Sequence, residues 1–519
     1  MQRRDFIKNL SAGVVLPTFL NGYSLTASAM GINAVDEKSD HVLVVIQLNG
    51  GNDGLNTVIP LSFYSNYQAA RANIAIPEAK ALKLDGGKIG LNPAMTELFK
   101  LYDEGKVRVV QSVGYPNPSF SHFRATDIWN TGADSDKVIS SGWAGRYFGY
   151  YNPNYPNNYP NAQSPDPLAI NIGSVVSPAL QGPVSSMGLA ISSVTNFYNL
   201  LNNKYDSDTP NTPSGKALAY LRKTASQTND YSASIKKAAD RVPTQGAYPA
   251  NNGLANQLKI VARLIAGGMK TKLYIVNLGG FDTHSTQTVA ADTTTGTHAN
   301  LLKNLSDGIG AFMADLKTLG VSKRVMGMTF SEFGRRMKSN DSGGTDHGSA
   351  APMFVFGDAV NPGITGNAVE IPLDVKTGDN VQMQYDFRSV YASILQNWFC
   401  MESADMEKVL LKNYQSLNIV QAQACGITLS QEPEPQQERI VNAPNPFSNF
   451  TNLRFRTDGG HTLIQIFDTT GRLIAVPVDD NFMAGTFDAP LNTDTWPSGV
   501  YFARLQNNAN QQIRRMLKV

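Results

Sequence analysis

Six short runs of almost wholly apolar residues, rich in β-branched side chains, constrain this chain more than any other feature. They are His41–Leu48, Val107–Val113, Leu168–Ile172, Leu273–Leu278, Val325–Phe330 and Met353–Phe356. A strand with one face in water alternates apolar and polar residues. A run apolar throughout is a strand covered on both faces, the situation of a parallel sheet between layers of helices. Helical periodicity fills the intervals, as in Leu254–Met269 and Thr297–Leu319. Strands alternating with helices predict an α/β fold built on a doubly wound, mostly parallel sheet.

In open α/β sheets, ligands bind beyond the carboxyl ends of the strands. The loops at those ends carry most of the chemistry of this chain. Strand 41–48 runs into Gly50-Gly-Asn-Asp53-Gly-Leu-Asn56, and strand 107–113 into Pro116-Asn-Pro-Ser-Phe-Ser-His122. Strand 273–278 leads to Gly279-Gly-Phe-Asp282-Thr-His284, and strand 325–330 to Ser331-Glu332-Phe-Gly-Arg335-Arg336. The next loop holds Gly344-Thr-Asp346-His347-Gly348. Five loops mapping to one edge predict one composite site. Carboxylate oxygen and neutral imidazole nitrogen suit a divalent ion, Zn²⁺ or Mn²⁺ first and Mg²⁺ or Ca²⁺ where carboxylates dominate. Of the six histidines, four fall in or near these loops. His122 has the alternative of a satisfied core histidine, and His298 of the first turn of a helix. Asp346-His347, adjacent between glycines, is the pair that points most directly to a ligand site.

The flanks of the chain read differently. Residues 1–29 have the form of an export signal: Arg3-Arg4, a short apolar stretch from about 10 to 25, then Ala27-Ser-Ala29 as a cleavage site. The paired arginines are those of the twin-arginine route. No later segment is apolar enough to span a membrane. Export permits a disulfide between Cys400 and Cys425, while the apolar run before Cys400 makes a plain core cysteine an equal alternative. The segment Tyr150–Pro167 is a Pro/Asn/Tyr loop, and Thr209–Val242 has a helical pattern suited to a cap over a site. A main domain over 40–425 is followed by a Pro/Glu/Gln linker over 426–439. Residues 440–519 form a small β-sandwich, with strands at Leu453–Arg456, Thr462–Phe467, Leu473–Val476 and Val500–Leu505. Charged residues are only 17 % of the chain and the net charge is +2. That composition argues against nucleic acid as a partner.

Two resemblances follow. The tail resembles the C-terminal sorting domain of the type IX secretion system, through Ala443-Pro-Asn-Pro-Phe447, Ile466-Phe-Asp468 with Gly471-Arg472, Trp496-Pro-Ser-Gly-Val-Tyr-Phe502 and Arg515-Met-Leu-Lys-Val519. This implies the type IX machinery as a partner. It also implies passage through the periplasm to the outer membrane surface or the medium. The core, over roughly 40–420, resembles the bacterial family numbered fifteen-oh-one among domains of unknown function, within the alkaline phosphatase–sulfatase superfamily. Its carriers are Leu48–Asn56, Ser121-His-Phe123, Gly142-Trp-Ala-Gly-Arg-Tyr147, Phe281–His284, Ser331–Arg335 and Gly344–Gly348.

That resemblance implies an alkaline phosphatase-like fold and a hydrolase of phosphate or sulfate esters, working with one or two metal ions. Asp53, Asp346 and His347 are the implied ligands of one ion, Asp282 and His284 those of the other. Ser121 is the implied nucleophile, with Ser119 second. Arg335 or Arg124 is the group that grips the anion. The chain departs from the phosphatases in having no further histidine after His347 until His461, and His298 is a possible substitute. It departs from the sulfatases in lacking a cysteine in the second loop. These departures keep a second reading open, a non-catalytic surface protein that binds glycans.

Overall fold

The computed structural model describes residues 18–20, 23–25, 40–192, 231–425 and 440–519, apart from 458, 484, 508 and 509. Of the expected signal peptide only the antiparallel pair Thr18–Leu20 and Tyr23–Leu25 is described. The linker 426–439 and residues 209–230 of the expected cap lie outside the described residues. The chain divides into two compact units, Met1–Thr428 and Leu429–Val519.

The first unit is organised by a nine-stranded sheet. In chain order its strands are β1 (Val42–Asn49), β2 (Val107–Gly114), β3 (Ala169–Ile172), β4 (Gly188–Ile191), β5 (Leu273–Gly279), β6 (Val325–Ser331), β7 (Ala351–Gly357), β8 (Gly363–Thr365) and β9 (Tyr385–Asp386). Across the sheet they run β8-β2-β7-β6-β1-β5-β3-β4, with β9 also beside β2. Every pairing is parallel except those of β7, which is antiparallel to both β6 and β2. All six apolar runs are strands of this sheet, and β1, at its centre, is buried along almost its whole length.

Side chains of β1 alternate between two cores. Val42, Val44, Ile46 and Leu48 join one hydrophobic cluster and Leu43 and Val45 the other. The first face is covered by α1 (Thr96–Asp103), α4 (Gly253–Ala266) and α5 (Thr297–Thr318). The second face is covered by α2 (His122–Thr131), α3 (Trp143–Tyr151) and α6 (Phe387–Asn397). The apolar stripe of α5, at Leu302, Leu305, Ile309, Phe312 and Leu316, has the three-and-four spacing that keeps one helix face against a sheet. Asn252 starts α4 by accepting a hydrogen bond from the Ala255 amide at 3.0 Å. Among the described residues no helix is long and apolar enough to cross a membrane.

The described end of the expected cap, residues 231–240, is helical. It packs Tyr231, Ile235, Ala238 and Ala239 into the first core, and the Arg263 guanidinium of α4 donates to the Ala239 carbonyl at 2.7 Å. Cys400 and Cys425 form a disulfide, with Cα atoms 5.4 Å apart. The bridge ties the residues just after α6 to the end of the described core.

The second unit is an all-antiparallel pair of sheets. One is β10 (Ile440–Ala443), β11 (Phe450–Thr457) and β14 (Gly485–Asn492), in that order. The other runs β13 (Leu473–Phe482), β12 (Gly460–Asp468), β15 (Gly499–Asn507), β16 (Asn510–Lys518). Inward residues recur every second position, as in Leu453 and Phe455, Ile464 and Ile466, Ala503 and Leu505.

Candidate metal centre

Strands β1, β2, β5 and β6 point the same way, so the loops that follow them emerge on one edge. Antiparallel β7 starts on that edge, only four residues beyond His347. Topology therefore places the loops 50–56, 115–122, 280–287 and 332–350 side by side. Within the third of these connections, 280–287, alternation sorts the side chains. Asp282 and His284 are exposed at the edge, whereas Thr283 between them turns inward and is buried. Close packing of the loops requires glycine at two places. A Cβ on Gly50, whose φ is +119°, would lie 2.3 Å from the Asp282 amide nitrogen, and one on Gly344 would lie 2.4 Å from the His284 carbonyl carbon.

Three histidines and one aspartate converge at this edge. His284 Nε2 and His347 Nε2 are 2.9 Å apart, and each is 3.1 Å from Asp282 Oδ1. His122 Nε2 faces Asp282 Oδ2 at 3.5 Å. Ligating atoms of His122, Asp282 and His347 all fall within 4.8 Å of one another. Each ring is held from behind at Nδ1 by a group that accepts. Glu332 Oε1 does so for His122 at 2.9 Å, Asp346 Oδ1 for His284 at 3.3 Å, and the Phe120 carbonyl for His347 at 2.8 Å. An acceptor behind Nδ1 puts the proton there and leaves the Nε2 lone pair facing forward, the arrangement that orients metal-ligating imidazoles. Phe333, 1 % exposed, packs against the rings of both His122 and His347.

The donor set fits a divalent ion. Nε2 lone pairs 2.9 Å apart repel unless a proton or a metal ion lies between them, and His122 Nε2 is buried with no hydrogen-bond partner. Tetrahedral ligands at Zn–N distances of about 2.0–2.1 Å stand roughly 3.3 Å from each other, close to the four separations of 2.9–3.5 Å here. The group whose ligating atoms all lie within 4.8 Å is His122, Asp282 and His347, with His284 at its side. Glu332, Asp282 and Asp346 face the group against one guanidinium, that of Arg335, an excess of negative charge that a divalent cation balances. Partial burial pushes the Asp282 carboxyl up, but the hydrogen bond donated by Arg335 and the Arg335 charge, with the imidazoles beside it, outweigh this and hold it at about 2. Asp282 therefore stays a carboxylate throughout the neutral range.

Arg335 organises the centre from underneath and is 1 % exposed. Its guanidinium donates to Asp282 Oδ1 at 2.6 Å and to the carbonyls of Gly50, Gly51, Phe281 and Thr345, which belong to three of the loops. Five acceptors of the protein surround this buried guanidinium, and through them it aims Asp282. Arg124 is likewise engaged, by Asp127 and the carbonyls of Asp134, Ser135 and Lys137.

The expected ligands thus divide. Asp282, His284 and His347 come together, and Asp346 stands behind His284 without joining the forward-facing atoms. Asp53 is not brought to the group. It is fully buried, with Arg71 Nη1 2.9 Å from Oδ1 and 2.6 Å from Oδ2 and Gln287 Nε2 2.6 Å from Oδ2. Burial raises the Asp53 carboxyl, but the Arg71 charge together with the hydrogen bonds from Arg71 and Gln287 more than reverses this, leaving it below the ordinary carboxylate value. His298 does not substitute in the centre either. It is buried, bonded through Nε2 to Asn52 Oδ1 at 3.0 Å, and burial lowers it to about 4. Ser121 directly precedes α2, is exposed, and makes no cap bond with its hydroxyl. His122 and Glu332 are the members that the sequence did not mark as site residues. The signal available for both was their position on loops already mapped to this edge.

No curated protein matches in sequence. Among solved structures, the PsFucS1 sulfatase from a Pseudoalteromonas species is 11 % identical, with 88 % of this chain and 84 % of that one covered and a TM-score of 0.31. A protein in the alkaline phosphatase superfamily from Vibrio parahaemolyticus is 9 % identical over 85 % and 83 % of the two chains, at 0.28. The lipoteichoic acid synthase LtaP from Listeria monocytogenes is 12 % identical over 67 % and 75 %, at 0.26. Residues 443–519 match the secretion system C-terminal sorting domain, the type IX tail, which points to export to the cell surface or beyond. Residues 88–399, more than half of the chain, match the family described as Protein of unknown function (DUF1501), and the chain belongs to that family.

Proposed function

We propose that this protein is an exported, metal-dependent hydrolase of phosphate or sulfate esters, carried to the outer membrane surface or the medium by its type IX tail. The observation that carries the reading is the convergence of three Nδ1-anchored imidazoles on Asp282. His122, His284, His347 and Asp282 are the residues that would hold the ion, zinc being the best match to three nitrogens and one carboxylate. A divalent ion there supplies a Lewis acid that polarises an ester oxygen and neutralises charge developing on the transferred group.

The chain's own residues do the rest. Glu332, Asp346 and the Phe120 carbonyl keep the imidazole lone pairs aimed forward. Arg335 keeps Asp282 ionised and in place. Ser121 is the proposed nucleophile. It sits where the positive end of α2 favours an alkoxide, between Phe120, whose carbonyl bonds His347, and His122. Ser119, whose hydroxyl accepts a hydrogen bond from the Ser121 amide at 3.3 Å, is the second choice.

The test is metal content and turnover measured together. Protein purified without chelator should carry metal, which His122→Ala and His347→Ala lose. The loaded protein should hydrolyse at least one of an aryl phosphate, an aryl phosphodiester and an aryl sulfate, with Ser121→Ala inactive and still metal-loaded. A fully loaded protein inert toward all three overturns the hydrolase reading in favour of a binding protein. Protein that takes up no divalent ion overturns the centre itself.

A further inference from the structure

The buried side of the ligand loops carries a polar network that the chemistry above does not use. Gln287 lies at its middle and is fully buried. Its amide nitrogen donates to Asp53 Oδ2 at 2.6 Å, which identifies the other amide atom as the oxygen, because a carboxylate only accepts. That oxygen, Oε1, accepts two hydroxyls at 3.0 Å each, from Thr283 and from Thr345. Thr283 sits between Asp282 and His284. Thr345 directly precedes Asp346-His347. The Thr345 amide also donates to the Thr283 carbonyl at 3.1 Å. Thr283 is 4 % exposed and Thr345 0 %.

The far end of the network is equally fixed. Asp53 is held by Arg71, which is 0 % exposed and also donates to Asn56 Oδ1 at 3.0 Å, the Met337 carbonyl at 2.8 Å and the Arg336 carbonyl at 2.6 Å. One chain of bonds therefore joins the loop after β1, the loop after β5 and both ends of the β6–β7 connection.

We propose that Gln287, with Thr283 and Thr345, is the positioning element that sets the spacing between the two ligand loops, and that Asp53 and Arg71 anchor it. This rests on the metal reading of the centre. Along each loop the ligands face outward and the threonine faces inward. Both threonines end on the same oxygen, so that oxygen ties His284 to His347 through two short rigid paths. Removing either hydroxyl frees one loop to shift against the other. Groups that support metal ligands from behind alter affinity by about 10–100-fold when removed.

The experiment is a Co²⁺ titration of the metal-free full chain, read by visible absorption, beside the thermal midpoint of the metal-free protein. The variants are Thr283→Val, Thr345→Val and Thr283→Ser. Valine keeps the threonine shape without the hydroxyl, and serine restores it. The inference expects both valine variants to bind Co²⁺ about 10–100-fold more weakly with a shifted spectrum. Thr283→Ser should return to within about threefold of the parent. If Thr345→Val does not fold, the Thr283 pair decides. A parent that binds Co²⁺, with valine variants matching its affinity and spectrum, overturns the positioning role even if their midpoints fall, since the network then only stabilises the fold. A parent that binds neither Co²⁺ nor Zn²⁺ fails at the metal reading, and the inference falls with it.

Discussion

Asp53→Asn separates a ligand from an anchor, because the two roles predict opposite behaviour of the metal-free protein. Both Asp53 and Arg71 have side chains fully out of solvent, and their closest contact is 2.6 Å. Breaking one partner of such a pair leaves an uncompensated buried charge and costs about 3–5 kcal/mol. Asparagine preserves the size of the side chain but not its pattern of acceptors. Oδ2 accepts from Arg71 and Gln287, and Oδ1 accepts from Arg71. Any orientation of the amide thus turns one donor onto another. A loss of about 3 kcal/mol or more is expected. At about 2.1 cal/mol/K per residue, a unit of this size unfolds with an entropy of about 0.8 kcal/mol/K, so the midpoint should fall by about 4 °C or more.

The assay is thermal unfolding of chelated protein at neutral pH for Asp53→Asn, Arg71→Met and the double variant. The double should lose less than the two singles together, because it removes both charges at once. Acid unfolding gives an independent check with a fixed sign. The Asp53 carboxyl is depressed in the folded state, so its contribution is complete above about pH 4 and is lost as pH falls through the lower folded value. Asp53→Asn should remove that component and flatten the acid limb. An unchanged midpoint in the chelated protein, together with loss of metal from the untreated one, would refute this reasoning and restore Asp53 as a ligand.

Four further outcomes follow from the same contacts. Glu332→Gln should weaken metal retention about 10–100-fold, measured by chelator competition, since a neutral amide oxygen is a weaker acceptor behind His122 Nδ1 than the carboxylate. Gly50→Ala should both destabilise the core and lower metal content, because its Cβ meets the Asp282 amide; full loading would contradict the packing described. Reduction of the Cys400–Cys425 bridge, or Cys400→Ala with Cys425→Ala, should lower stability by about 3.5 kcal/mol in the loop-entropy view for a separation of 25 residues, read as an earlier unfolding midpoint. Arg335→Lys should lose metal more than Lys338→Ala does in the same loop, because lysine cannot reproduce the fork that joins Asp282 to four carbonyls.

Much of the architecture is local information. Val42–Leu48 and the other apolar runs have a length and composition that only a strand covered on both faces can use, so sheet and helices were legible directly. The edge on which Asp282, His284 and His347 meet was legible too, since parallel strands put successive loops on one side. The antiparallel course of β7 was not legible, because strand direction depends on which neighbour it pairs with, and an apolar run is the same in either sense.

The roles within the site divide along the same line. That aspartates and histidines crowd one edge is a property of the sequence, since each lies a few residues after a recognisable strand. Which of them faces a metal is not, because it is decided by partners far away in the chain. His122 shows a forward lone pair because Glu332, 210 positions later, accepts a hydrogen bond from its Nδ1 and so keeps the proton there. Asp53, in a loop that reads like a ligand loop, turns inward because Arg71 and Gln287, 18 and 234 positions away, meet it in the core. The spacing of Cys400 and Cys425 left pairing open until the fold brought their Cα atoms to 5.4 Å. Periodicity and loop position are written in nearest neighbours along the chain. The direction of a side chain is set by whatever tertiary packing places behind it.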